Sequence, residues 1–111
     1  MLLQPAPKAT DIVSFRLING EEIIGKISSI NPVTVQISHP IIVLSHVNQN
    51  GVQIGFGPYM VSIPEEQIVT FEIDKMLTRP MISRKDIADQ YRSATSSIEI
   101  ATPGQTGLLG F

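Results

Sequence analysis

The chain has no cysteine. That excludes disulfides, a thiolate nucleophile and thiolate zinc ligation, and it fits a reducing compartment. Long apolar runs are missing too. The longest, residues 41–44, is strand-sized, far short of the about 20 residues that cross a bilayer as a helix. The opening residues MLLQPAPKAT contain no basic segment leading into a long apolar one, so no secretory signal is expected. The expected location is the cytoplasm, with no membrane partner. Cations are scarce early: of eight, only Lys8, Arg16 and Lys26 precede position 75. The net charge of −2 and pI near 5.5 argue against phosphate binding by the whole surface. A local basic face remains open for Lys75, Arg79, Arg84, Lys85 and Arg92 in the C-terminal third.

What is present reads as β structure. The 111 residues suit one domain. The hydrophobic fraction, 42%, is that of a globular chain, and it is rich in Ile and Val, whose branched Cβ suits a pleated, half-buried surface. Pro5 and Pro7 make residues 1–10 a flexible arm. Val13, Phe15 and Leu17 then alternate with Ser14 and Arg16, the period of a half-buried strand. Asn19-Gly20 marks a hairpin turn. A second strand over about 21–30 carries Gly25 in its middle, where a missing side chain permits a sharp bend or a close backbone approach. Asn31-Pro32 is a turn. A third strand runs from Val33 and resumes over 41–47 after a bulge or edge position at His39-Pro40. Residues 48–51 form a second hairpin loop, a fourth strand spans 52–63, and Pro64-Glu65-Glu66 makes a tight corner. A fifth strand spans 67–73. Ser83 offers a helix N-cap, with Ile82 and Ile87 spaced as a staple, and Ile87, Tyr91, Ala94 and Ile98 form one apolar stripe. The expected division is an arm at 1–10, a barrel at 11–74, an extension at 75–100 with a helix over about 84–97, and a flexible tail at 101–111.

Chemistry-bearing constellations are sparse. His39 and His46, seven residues apart on extended chain, lack further metal ligands near them. Glu21-Glu22 and Glu65-Glu66 are adjacent pairs whose side chains diverge, unlike a catalytic dyad. There is no Gly-x-Ser-x-Gly elbow, phosphate loop or dinucleotide fingerprint. No enzyme, metal or cofactor is expected. Phe56 and Tyr59 bracket a Gly-Pro turn; they read as packing residues ahead of stacking platforms for bases.

Five short strands with tight turns suggest a small, strongly bent antiparallel barrel of SH3-like, Sm-like or OB-like type. The run Val13-Ser14-Phe15-Arg16-Leu17-Ile18-Asn19-Gly20-Glu21-Glu22-Ile23-Ile24-Gly25-Lys26-Ile27 resembles the first signature of the Sm-like family: a hydrophobic strand, Asn before Gly, and a second strand with an internal Gly five residues on. Asn19, Gly20 and Gly25 match as structural turn and bend positions. Ile63-Pro64-Glu65-Glu66-Gln67-Ile68-Val69 resembles the corner between the last two Sm strands. The likeness covers about 11–74 and is to the divergent phage or marine bacterial type.

That resemblance implies a homo-oligomeric ring of roughly five to seven copies, joined by the fourth strand of one and the fifth of the next. The interface residues would be Val52, Ile54, Phe56, Tyr59, Val61, Ile68, Val69 and Phe71. It also implies single-stranded RNA as a ligand, with Asn31, Arg16, Lys26, Arg84 and Lys85 as candidate contacts. The departures weaken the nucleotide pocket: the loop after the second strand has no aromatic, and no cation stands in Pro58-Tyr59-Met60-Val61. Two further readings stay open, a structural or protein-interaction ring recruiting a partner through the C-terminal helix, and a monomeric SH3-like peptide-binding module.

Overall fold

A computed structural model describes residues 6–64 and 67–96 in full and the backbone of 97–100. The arm is described from residue 6 onward; the tail at 101–111 and Glu65-Glu66 lie outside the described residues. The chain is mainly β, with six antiparallel strands and one C-terminal helix: β1 (Ile12–Leu17), β2 (Glu22–Ile30), β3 (Thr34–Asn48), β4 (Gly51–Pro58), β5 (Ile68–Glu72), β6 (Met76–Ile82) and α1 (Lys85–Ile100). A 3₁₀ turn, Ile73–Lys75, links β5 to β6.

The turn residues behave as their chemistry demands. Gly20 and Gly51 take φ of +92° and +113°, the left-handed region that favours glycine. Asn19 Oδ1 accepts the Glu21 amide at 3.0 Å, and Asn48 Oδ1 accepts the Asn50 amide at 2.8 Å, closing both hairpins with side-chain-to-backbone bonds.

Hydrogen bonding orders the sheet β4-β3-β2-β1-β6, with β5 also on β3. The fifteen-residue β3 is the organising strand. Its first half, Thr34 to Ser38, pairs with β5, and its second half, Ile41 to Asn48, pairs with β4. Since β2 occupies the other side of β3, β4 and β5 lie end to end along one edge. Between the halves sits His39 at φ +52°, followed by Pro40, which has no amide to donate. Opposite this kink, the β2–β3 register shifts between Ile24 and Lys26, at Gly25. A Cβ on Gly25 would collide with Ile37 Cγ2, a fully buried, rotamer-stiff side chain, and stand 3.5 Å from Pro40 Cα. Gly25 is therefore required by close approach.

Two apolar clusters flank the sheet. Val13, Phe15, Leu17, Ile23, Ile27, Val35, Ile37 and Phe71 fill its inner face. Phe15 on β1 and Phe71 on β5 are three ladder steps apart, about 14 Å in a flat sheet. Their ring centroids are 5.0 Å apart, edge to face, so the sheet curls tightly around this cluster. The outer face carries Ile12, Ile24 and Ile41, covered by Ala88 and Tyr91 of α1. The Tyr91 hydroxyl lies 2.8 Å from the His39 carbonyl and 3.0 Å from the Ser38 carbonyl, and donates to them at the kink.

Several expectations are corrected. The sheet has six strands, not five, and its hydrogen-bonded path does not close into a barrel. The fourth strand stops at Pro58 rather than running to 63, because Tyr59 turns inward onto Phe71 and 59–63 leave the ladder. The strand missed by sequence reasoning is β6, which pairs with β1 and carries the sheet to Ile82, beyond the expected boundary at 74. Its half-buried or buried positions are Met76, Thr78 and Pro80, while Leu77, Arg79 and Met81 face out, so polarity and burial are out of phase. Ser83 bonds the Ser14 hydroxyl at 2.8 Å, and α1 begins at Lys85. The buried helix stripe is Ala88, Tyr91 and Thr95, flanked by Ile87 and Ala94; the side chain of Ile98 lies outside the described residues.

Replacing Gly25 by Ala forces Ile37 or the kink to move. The expected loss is about 1–3 kcal/mol, as for overpacked cores, read from urea midpoints at unchanged slope. An unaltered midpoint would show that the close approach is not required.

Candidate functional site

Residues 27–64 contain no Asp, Glu, Lys or Arg. This stretch builds most of β2's second half, all of β3 and all of β4. The hairpin of β3 and β4 extends past the cores: Leu44, Val47 and Val52 are exposed, Val47 at 73% and Val52 at 63%. On the outer face, Val43 opposes Phe56, Ser45 opposes Ile54 and Val47 opposes Val52, so an apolar stripe runs to the hairpin tip. Among the described residues, the free side of β4 carries unpaired backbone donors and acceptors with no charged residue to discourage another strand. Charges, prolines and bulges are the usual blunting devices on such edges. The other two unpaired sides differ. β5 carries Glu72, and β6 carries Arg79 and Pro80. Neither Glu72 nor Arg79 has an ion-pair partner among the described residues. The signal for this edge was present in the sequence as a long uncharged stretch, but the side of β4 left unpaired follows only from the pairing.

The structure divides the expected interface set. Val52, Ile54 and Ile68 are exposed on the β4/β5 edge, and Val61 is exposed in the segment between them. Phe71 is 5% exposed and belongs to the inner core, so it is removed from that set. Val69 is half-buried against the same cluster. Phe56 packs towards the helix-side cluster, and the Tyr59 ring sits 5.2 Å from Phe71. Both aromatics are engaged in packing.

The candidate RNA contacts are dispersed and mostly engaged. Asn31 Oδ1 accepts the Val33 and Thr34 amides at 2.8 and 2.9 Å, and its Nδ2 donates to Thr34 Oγ1 at 3.0 Å. Both ends of its amide thus hold the β2–β3 turn. Arg16 donates to the Gly20 carbonyl at 2.7 Å and pairs with Glu22 at 3.2 Å. Glu22 begins β2 and Asn31 follows its end, so Arg16 and Asn31 are roughly 25–30 Å apart along the strand. Arg84 forms a two-point pair with Asp86 at 2.6 and 2.9 Å, and Lys85 pairs with Asp89 at 2.9 Å. The bond from Arg84 holds the Asp86 carboxyl below the usual carboxylate range, and the bond from Lys85 does the same for Asp89. These are solvated ion pairs on the wet side of α1. Of the four cations among the five, only Lys26 has no carboxylate partner among the described residues.

His39 forms the kink and His46 is exposed opposite Gln53. Among the described residues, no three His, Asp or Glu side chains are grouped to hold a metal ion, and no helix is long and apolar enough to cross a membrane.

Tyr59 supplies a pH test of its packing. Burial, then the negative charge of Glu21, raises its hydroxyl above the ordinary phenol range. A raised folded-state value means its stabilisation is intact below the unfolded pKa and lost as pH rises through the folded one. Stability should therefore fall more steeply above about pH 10 in the parent than in Tyr59→Phe, measured by urea unfolding across that window. Equal slopes would show a fully solvated hydroxyl. No protein-family model matches this chain, and no curated protein matches it in sequence.

Proposed function

We propose that this chain is a non-catalytic, Sm-like assembly module whose copies join edge to edge into a ring. The observation that carries the reading is the β4 edge: unpaired among the described residues, uncharged over its whole length, and lined by exposed Val52 and Ile54. Such an edge associates unless another chain covers it.

The topology narrows the contact. β4 and β5 share one edge of β3, so pairing the 52–63 segment of one copy with the 68–73 segment of another joins like edges. Made reciprocally between two copies, that contact is two-fold and stops at a dimer. A ring needs two different edges, and β6, at the opposite end of the path, supplies the second. A contact of β4/β5 with the next copy's β6 is heterologous and closes when the rotation per subunit divides a full turn. Glu72 on the first edge and Arg79 on the second are opposite in charge, which favours unlike edges meeting. RNA binding draws less support, since Asn31, Arg16, Arg84 and Lys85 spend their polar groups within the chain.

Light scattering during size exclusion should give a discrete mass of about five to seven chains, stable over a wide concentration range. The double variant Val52→Lys, Ile54→Lys places charge on the exposed edge and should release folded monomers. A dimer would indicate pairing of like edges. A monomer at high concentration would overturn the assembly reading in favour of a peptide-binding module.

A further inference from the structure

We infer that the outer face carries a site for a single phosphate group, separate from the assembly edges. A groove lies between the start of β1 and the last described turns of α1. Ile12 and Lys26 line it from the sheet, Arg92 and Ser96 from the helix, and Thr10 and His39 complete the polar lining. Among the described residues, no carboxylate lines it.

Two cations meet at this groove. Lys26 has no ion-pair partner among the described residues. Arg92 donates from one nitrogen to Asp89 Oδ1 at 3.0 Å, while the other oxygen of Asp89 accepts Lys85 at 2.9 Å. One carboxylate is thus shared by two cations, which leaves positive charge at the groove and guanidinium donors in hand. Thr10 is set by backbone rather than chance: its amide donates to the Ile27 carbonyl at 2.9 Å, and its φ of +73° is one that non-glycine residues rarely hold. Such strain recurs where a side chain must be presented in a fixed place.

A planar fork, a point charge and two hydroxyls suit a phosphate oxyanion: Arg and Lys supply charge-assisted bonds, and Thr10 and Ser96 can donate to remaining oxygens. Two cations match the charge of one phosphate monoester. The net charge of the chain, −2, disfavours a long polyanion that would span several faces.

The test is titration of the full chain with inorganic phosphate against chloride at matched ionic strength, followed by backbone amide shifts and calorimetry. Saturable shifts confined to Thr10, Lys26, Arg92 and Ser96 and their neighbours are expected, with binding about tenfold weaker in Lys26→Gln and likewise in Arg92→Gln. Both side chains are exposed, so unchanged shifts in the β3–β4 ladder will show that the variants fold. Non-saturating shifts equal to those with chloride, or the parent's affinity retained in both variants, would overturn the site. A ribonucleoside monophosphate and a short oligouridylate then identify the source: tighter binding of the monophosphate marks a free phosphomonoester, and tighter binding of the oligomer marks a backbone phosphate.

Discussion

The kink in β3 is the constraint on which the rest of the molecule depends. A fifteen-residue strand cannot serve two directions of a tightly curled sheet without a break, and His39-Pro40 provides it. Three residues distant in sequence make the break tolerable. Gly25 leaves the space that Ile37 fills as the strands close together. Pro40 removes a donor that would otherwise need a partner. Tyr91, from the helix, donates to the Ser38 and His39 carbonyls at the break. A buried carbonyl without such a partner costs about 1–3 kcal/mol, so α1 is part of the kink rather than an appendage.

The same kink decides which edges face water. It splits the flank of β3 between β5 and β4, with the 59–67 connection between them. Below the split, Phe71 turns into the inner core against Phe15. Above it, the β3–β4 hairpin runs past both cores and carries only uncharged side chains. Curling brings β5 back towards β1, yet the 3₁₀ turn at Ile73–Lys75 carries the chain on to β6 without a β5–β6 ladder. The sheet is left with unlike free edges, the geometry from which a closed head-to-tail assembly can be built.

Charge is arranged to leave those edges accessible and to solvate everything else. Arg84, Lys85 and Arg92 meet Asp86 and Asp89 on the outer side of α1, where such pairs contribute little to stability but keep a short helix wetted. Lys26 stands apart, projecting from the helix-side face of β2 with no carboxylate beside it among the described residues.

Much of the fold was legible in the residues. Alternation marked β1, β2 and β3, Asn19-Gly20 and Asn50-Gly51 marked the hairpins, and the Tyr91 stripe marked the docked helix, because each rests on local backbone geometry or on a period that one element imposes. Three features were not. β6 was hidden because its outward positions are Leu77 and Met81 and its inward ones Thr78 and Pro80, which only pairing with β1 explains. The fourth strand was read too long because Tyr59 continues the apolar alternation while its ring belongs to the core beside Phe71. The candidate edge was divided wrongly because Phe71 and Ile54 look alike in sequence, and only the curl of the sheet buries one and exposes the other. Composition and spacing determined that this chain makes antiparallel β strands with an uncharged hairpin, followed by an amphipathic helix. The tertiary structure decided which strands share an edge, since that depends on a kink closed by residues 25, 39 and 91, whose contacts no local pattern encodes.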